Sequence, residues 1–370
     1  PKVQELAERI NADADIYVES KAAVAYQRQA RRDICACRKL TSLEETMAGE
    51  YLTSLTPEHK KFLEELFKDG VSFDPKVLRV YASDASLLTG TVLAMVRPQN
   101  VGQLCEFMRW ADAERVAVHP RGRGTSLSGG CVPTVPGIVV SMLGMDKIIE
   151  ISKEDFVAVL EPGVNTAQFQ AECEKLGMFY PPDPASGKAT SVGGNVITCA
   201  GGLRAVKYGV TRDYVLGVEA VLPGGELMKF GGRTHKDVIG LDLGRLFVGS
   251  EGTLGIITKL IVKLLPKPEA SASVLVGYPS LDAALASMGK VFAAGILPCA
   301  VEFMNETVLE ILTKTGEVPW PDSVKSLLLF QVDGSKDTVP LENARLARQL
   351  DDALWRMEGV GKEEEDKLWA

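Results

Sequence analysis

The sequence predicts an α+β protein organised around two glycine-rich loops and followed by an incomplete α+β cap. Three observations carry this expectation. Two loops, Pro120–Gly130 (PRGRGTSLSGG) and Ser191–Gly202 (SVGGNVITCAGG), hold four glycines each. Between Pro75 and Pro266, short apolar runs of strand character are interleaved with helical patterns. From Ser271 onward, strand and helix patterns alternate regularly. A surface turn needs only one or two glycines. Loops with four can take positive φ and turn several N–H donors toward one point at close range, which suits a pyrophosphate. The interleaved Arg121, Arg123, Thr125 and Ser126 add charge and further donors.

In chain order, the first seventy residues read as helical and peripheral, with Val3, Leu6 and Ile10 at helical spacing and a polar stretch over Lys21–Arg32. Thr56 followed by Pro57 and Glu58 marks a helix start; Phe62, Leu63, Leu66 and Phe67 form its apolar face, and Gly70 its stop. Asn100 caps a second helix with Val101, Leu104, Cys105, Met108 and Ala111 on one face. Strands are expected at Val116–Val118, Ile138–Met142, Lys147–Ile151 and Phe156–Glu161, and a helix over Thr166–Leu176 closed by Gly177. The prolines of Tyr180–Pro184 make a rigid extended turn, suited equally to a ligand wall or a loop brace. Val218–Leu222 and Leu227–Phe230 read as a hairpin, and Phe247–Gly255 leads into the alternating run Ile256–Leu265. In the cap, the pattern gives strands ending at Tyr278 and over Cys299–Met304 and Leu327–Val332. Helices are expected over Ser280–Ala294, Asn305–Lys314 and Leu341–Met357, with no closing strand.

Composition bounds the function. With 370 residues the chain exceeds one core, and 46% apolar with 24% charged residues is the balance of a soluble globular protein. A net charge of -8 argues against nucleic acid or an anionic bilayer as the main partner. No apolar run reaches a membrane span, and Pro1–Ile10 lacks the core of a signal peptide. Seven cysteines without framework spacing fit a reducing cytosol, so a cytoplasmic protein is expected, membrane-associated only through a partner. Neither loop has the GxGxxG spacing that opens a helix after a strand, which disfavours a Rossmann site.

Five motifs stand in order: the first loop, Pro181-Pro182-Asp183-Pro184, Gly193-Gly194-Asn195, Tyr208-Gly209-Val210 with Arg212-Asp213, and Gly249-Ser250-Glu251-Gly252-Thr253-Leu254-Gly255. Together they resemble the FAD domain of the vanillyl-alcohol oxidase/p-cresol methylhydroxylase (PCMH) superfamily, and are most similar to its glycolate oxidase flavoprotein subunit and D-lactate dehydrogenase branch. The resemblance implies a PCMH-type FAD-binding domain of two α+β subdomains over 73–267, between a helical extension (1–72) and a partial substrate or cap domain (268–370). It implies that Pro120, Arg121, Gly122, Arg123, Gly124, Thr125 and Ser126 bind the FAD pyrophosphate, with Gly129 in the same loop. Pro184, Ser191, Gly193, Gly194, Asn195, Thr198, Ala200, Gly201 and Gly202 would line the middle and flavin end. Glu251, Gly255 and Ile256 would complete the pocket. The first loop carries no histidine or cysteine in its interior to tether flavin, so FAD is expected to be noncovalent. Cys199 and Leu241 replace the asparagine and tyrosine usual in the branch.

The resemblance further implies hydride transfer from a small 2-hydroxy acid, D-lactate or glycolate, to flavin. Electrons would pass to an iron–sulfur protein, an electron-transferring flavoprotein or quinone. A divalent metal would be held by cap residues outside this chain, whose histidines, His59, His119 and His235, lack ligand spacing. No catalytic residue is assigned. Arg204, Lys207, Arg212, Arg233 and Lys236 could attract a carboxylate, although solvated surface charge is the plainer account of each. The alternative function is a noncatalytic electron-relay FAD subunit.

Overall fold

A computed structural model describes residues 51–315 and 320–369. The helical patterns expected over the first fifty residues lie outside them.

Thr56 caps α1 (Pro57–Phe67), its hydroxyl accepting from the His59 N–H at 3.3 Å. Leu63 and Phe67 are buried in this helix, and Phe62 stacks on Trp110 with ring centroids 4.9 Å apart. After β1 (Val71–Ser72) and α2 (Pro75–Tyr81) come β2 (Val92–Val96), α3 (Val101–Ala113), β3 (Ala117–Arg121) and β4 (Gly137–Ser141). They form a four-stranded sheet in the order β1-β2-β4-β3, in which β4 pairs in parallel with β2 and β3. All five residues of β4 are buried, as expected of a parallel strand covered on both faces. The first glycine loop leaves the end of β3.

His119 sits within β3, its Nε2 2.9 Å from the Val135 carbonyl. Burial pushes its pKa below the ordinary 6.5, which the carbonyl hydrogen bond only partly offsets. The unfolded chain therefore takes up this proton first, and stability drops as pH falls through about 6.5. His119→Gln can keep the contact to Val135 without titrating. Its melting temperature should accordingly decline less than that of the parent between pH 7 and 5; parallel declines would count against this origin.

The second sheet is antiparallel, in the order β5 (Ile148–Ser152), β6 (Val157–Leu160), β10 (Ile256–Lys263), β8 (Val215–Val221), β9 (Leu227–Gly231). Between its strands run α4 (Thr166–Lys175), the short strand β7 (Met178–Phe179), α5 (Val192–Thr198), α6 (Ala205–Tyr208) and α7 (Gly244–Phe247). Leu160, Phe169, Tyr180, Val192, Val196 and Leu260 form the core between sheet and helices. Strand β11 (Leu265–Pro266) pairs with β7 and leads to the cap.

The cap comprises β12 (Ala270–Tyr278), α8 (Leu281–Ala293), β13 (Ala300–Met304), α9 (Glu306–Thr315), β14 (Ser326–Gly334), α10 (Val339–Gln349), β15 (Trp355–Val360) and α11 (Lys362–Trp369). Its sheet order is β13-β14-β12-β15, antiparallel throughout, which is a ferredoxin-like arrangement with two added helices, α9 and α11. This corrects the expectation of a missing closing strand. The helix read over Leu341–Met357 stops at Gln349, and Trp355–Val360 pairs with β12. The break follows from tertiary contacts: the Asp352 carboxylate accepts from Lys290 Nζ at 2.6 Å and Ser287 Oγ at 3.1 Å, both on α8. Those bonds hold the chain in a turn where its apolar spacing alone would continue the helix. The second glycine loop is likewise corrected, because Val192–Thr198 is a helix capped by Ser191 and ended by Cys199 at φ 49°.

Candidate functional site

Three backbone segments converge on one cleft: Pro120–Gly122 at the end of β3, Ser191–Gly194 at the head of α5, and Gly252–Ile257 at the head of β10. Met142, Pro162 and Ile197 complete its walls, and no acidic residue lines it. Missing side chains make this convergence possible. A Cβ on Gly122 would lie 2.7 Å from Ser191 Oγ, one on Gly193 would lie 2.4 Å from Pro162 Cβ, and one on Gly252 would lie 3.0 Å from Pro120 Cγ. Gly252 also has φ 81°, so its conformation as well as its space favours glycine.

The two loops play different parts. In the first, the five N–H groups from Arg123 to Leu127 donate to no described residue, and Ser128 closes the turn by donating its N–H to Ser126 Oγ at 3.2 Å. At the head of the second, the donors are already used. Val192 N–H donates to the Val164 carbonyl and Gly193 N–H to that of Pro162, both at 2.9 Å, while Gly194 N–H donates to Ser191 Oγ at 3.3 Å. The sequence expectation that both loops aim N–H groups at a ligand therefore does not hold at the head of the second, where these groups bond within the protein. Gly193 and Gly194 serve close approach instead.

A chain of side-chain hydrogen bonds fixes the loops to each other. Thr125 Oγ1 donates to Thr190 Oγ1 at 3.3 Å, Thr190 donates to Asn195 Oδ1 at 3.0 Å, and Asn195 Nδ2 donates to Thr166 Oγ1 at 2.8 Å. Thr166, Thr190 and Asn195 are buried. Asn195, expected to line the pocket, thus spends its amide inside the protein, and Thr198 donates its hydroxyl to the Gly194 carbonyl at 2.9 Å. Arg121 also departs from expectation: its guanidinium is buried under the loop, with Nη1 3.2 Å from Cys131 Sγ. Glu251, at φ 52°, reaches toward Gly130 of the first loop.

Of the sequence candidates, Pro120, Arg121, Gly122, Ser191, Gly193, Gly194, Gly255 and Ile256 meet at the cleft, and Arg123–Ser126 and Gly129 continue the loop that bounds it. Pro184, Ala200, Gly201 and Gly202 gather elsewhere. A Cβ on Gly202 would fall 2.0 Å from the Asp183 carbonyl oxygen, so this glycine seats the proline-rich turn. Met142, Pro162, Ile197, Gly252 and Ile257 were missed as lining residues; of these, Ile197 lies inside the second glycine-rich loop and Gly252 inside the third. Three of the five basic candidates are engaged with carboxylates or rings. Arg233 pairs with Glu150 at 2.6 Å and Asp155 at 2.9 Å, Arg204 lies over the Phe179 ring at 5.2 Å, and Lys207 Nζ is 2.5 Å from Asp333 Oδ1.

Three glycine-walled main-chain segments, with no acidic side chain among the described lining residues, fit the pyrophosphate of a dinucleotide. The class defined by this cleft between two sheets, with a separate α+β cap, is a dinucleotide-binding protein. The chain belongs to the FAD-linked oxidases: residues 92–231 match the FAD binding domain, and residues 267–370 match the C-terminal domain of FAD linked oxidases. FAD is its cofactor. It is 44% identical to glycolate oxidase subunit GlcD of Bacillus subtilis (strain 168), over 66% of this chain and 52% of that protein. It is 34% identical to a D-lactate dehydrogenase of Anaerostipes hadrus, over 79% of this chain and 63% of the relative. The chain thus spans between half and two thirds of these curated relatives. Among solved structures, an alkyldihydroxyacetonephosphate synthase superposes with a TM-score of 0.73 over 84% of this chain and 64% of its own, and at 20% identity it shares the fold.

Proposed function

We propose that this chain is the flavin-binding part of a 2-hydroxy-acid dehydrogenase acting on D-lactate or glycolate. The observation that carries the reading is the row of unpaired N–H groups from Arg123 to Leu127 beside the glycine-walled cleft. The names of the similar proteins, glycolate oxidase subunit and D-lactate dehydrogenase, supply the substrate class. On this reading Pro120–Ser126 and Gly129 hold the pyrophosphate, chiefly through main-chain donors. Ser191, Gly193, Gly194, Gly255 and Ile256 form the walls against which the dinucleotide lies, and Asn195 and Thr198 act from behind by holding α5 in place. Glu251 fixes the third loop against the first. FAD, when bound, supplies the acceptor for the hydride of the hydroxy acid's Cα. An iron–sulfur protein, an electron-transferring flavoprotein or quinone then takes the electrons.

Anaerobic titration of the FAD-loaded protein with D-lactate and with glycolate tests this. The expected result is loss of the oxidised flavin absorbance with one of the two acids. An absorbance that persists with both, in this chain and in a longer polypeptide that carries the remaining cap residues, would overturn the assignment.

A further inference from the structure

The buried arginine of the first loop has no part in the reading above beyond its backbone. Arg121 is 7% exposed, and three groups hold its guanidinium. Nη1 donates to Cys131 Sγ at 3.2 Å, Nη2 lies 3.5 Å from the Val80 carbonyl oxygen, and the plane sits 5.5 Å from the centroid of the Tyr81 ring. The Cys131 thiol in turn reaches Asp84 Oδ2 at 3.8 Å, and Asp84 accepts from the Ser86 N–H at 2.9 Å. Burial pushes the Cys131 pKa up, so the sulfur stays a thiol that can accept from Arg121 while donating to Asp84. Above this cluster stands Gly124, at φ 69°, where a Cβ would fall 2.1 Å from Arg121 Nη2. The Gly124 carbonyl accepts from the Ala85 N–H at 3.2 Å, tying the loop to the Asp84 turn as well.

We propose that Arg121 is a positioning residue whose guanidinium, clamped by Cys131, Val80 and Tyr81, forms the floor on which the Gly124 turn rests. It thereby aims the Arg123–Leu127 N–H groups into the cleft before any cofactor arrives. This rests on the assignment of that loop to the FAD pyrophosphate. A planar fork fixed at several points cannot be replaced by an ammonium. A direct charge contact to phosphate could be.

The test compares Arg121→Met, Arg121→Lys, Cys131→Ala and the Arg121→Met/Cys131→Ala double variant with the parent. Hydrogen exchange is read in the apo protein, and FAD affinity by quenching of flavin fluorescence. Arg121→Met should speed exchange in the apo protein at Ala85, whose N–H donates to the Gly124 carbonyl, and at Ser128, whose N–H donates to Ser126 Oγ; it should also weaken FAD binding about tenfold to a hundredfold, as lost preorganisation does. Arg121→Lys should not restore either. Cys131→Ala should weaken binding in the same direction, and the double variant should lose less than the product of the two single effects. Unchanged apo exchange with weakened FAD binding, or rescue by lysine, would overturn the proposal in favour of a direct phosphate ligand. Unaltered affinity in every variant would overturn it outright. If the parent itself bound no FAD, the functional reading would fail, whereas the exchange measurement would still report whether Arg121 supports the loop.

Discussion

Gly193→Ala is expected to leave the protein almost free of FAD. Gly193 opens α5 without a positive φ, so alanine meets no backbone penalty and the substitution is a purely spatial probe. Its new methyl would lie 2.4 Å from Pro162 Cβ and 2.7 Å from the Pro162 carbonyl oxygen. Neither can swing aside, because Gly193 N–H is itself bonded to that carbonyl at 2.9 Å and Gly163 N–H to the Met145 carbonyl at 2.7 Å. Relief must come from moving α5 away from the β6–α4 turn, which shifts one wall of the cleft across its width. Overpacking of this kind costs about 1–3 kcal/mol in stability. The displaced wall should weaken FAD binding about a hundredfold, or about 3 kcal/mol. Gly289→Ala provides the control: this glycine lies in α8 with nothing within 4 Å of the added Cβ. There the change should raise stability by about 0.5–1 kcal/mol and leave flavin content untouched. Flavin absorbance per protein and a melting curve read both effects, and normal flavin content in Gly193→Ala would remove the cleft's walls from the account.

How far this site could be read in advance depends on what a residue type encodes locally. Thr56 and Asn100 each cap a helix that the structure contains, because a cap is a property of four neighbouring residues. The hairpin of β8 and β9 is legible for the same reason. Glycine is ambiguous in sequence: Gly124 needs its positive φ, whereas Gly193 needs room, and the letters are identical. Arg121 looked like a phosphate ligand because arginine among glycines usually faces solvent. Only the packing of the Tyr81 and Cys131 segments shows that this one turns inward. The last strand of the cap was hidden by leucines at helical spacing, with the deciding bonds made from Asp352 to a helix sixty residues earlier. Pro162 reaches the cleft from another strand end, which no local pattern reports.

Besides the β11–β7 pairing, a deeply placed carboxylate joins the cap to the flavin-binding body, and its removal should have the largest effect on stability. Asp333, with a side chain 7% exposed, ends β14 and faces α6. Lys207 Nζ lies 2.5 Å from its Oδ1, and Tyr208 donates its hydroxyl to Oδ2 at 2.7 Å. Tyr208 is held in place by its edge-on contact with Phe179 and by Tyr214, whose hydroxyl donates to the Tyr208 carbonyl at 2.7 Å. Asp333→Ala leaves the phenol without its acceptor and the ammonium with only the main-chain carbonyl of residue 333, 3.0 Å from Nζ. For a fully buried pair this costs about 3–5 kcal/mol. Lys207 retains 29% exposure, so water recovers part of that, and a loss of about 2–4 kcal/mol is expected. Asp333→Asn keeps an oxygen for Tyr208 and loses the charge pair, so its cost should be about half as large. Tyr208→Phe should cost about 1–2 kcal/mol alone and almost nothing in the Asp333→Ala background, since both changes remove the same bond. The melting curve should also change shape. With the carboxylate gone, the cap sheet and the flavin-binding body are coupled by fewer polar contacts, and a single transition should separate into two, the FAD-stabilised one at higher temperature. A single transition at the parent temperature in Asp333→Ala would show that apolar contact, not this carboxylate, holds the cap in place.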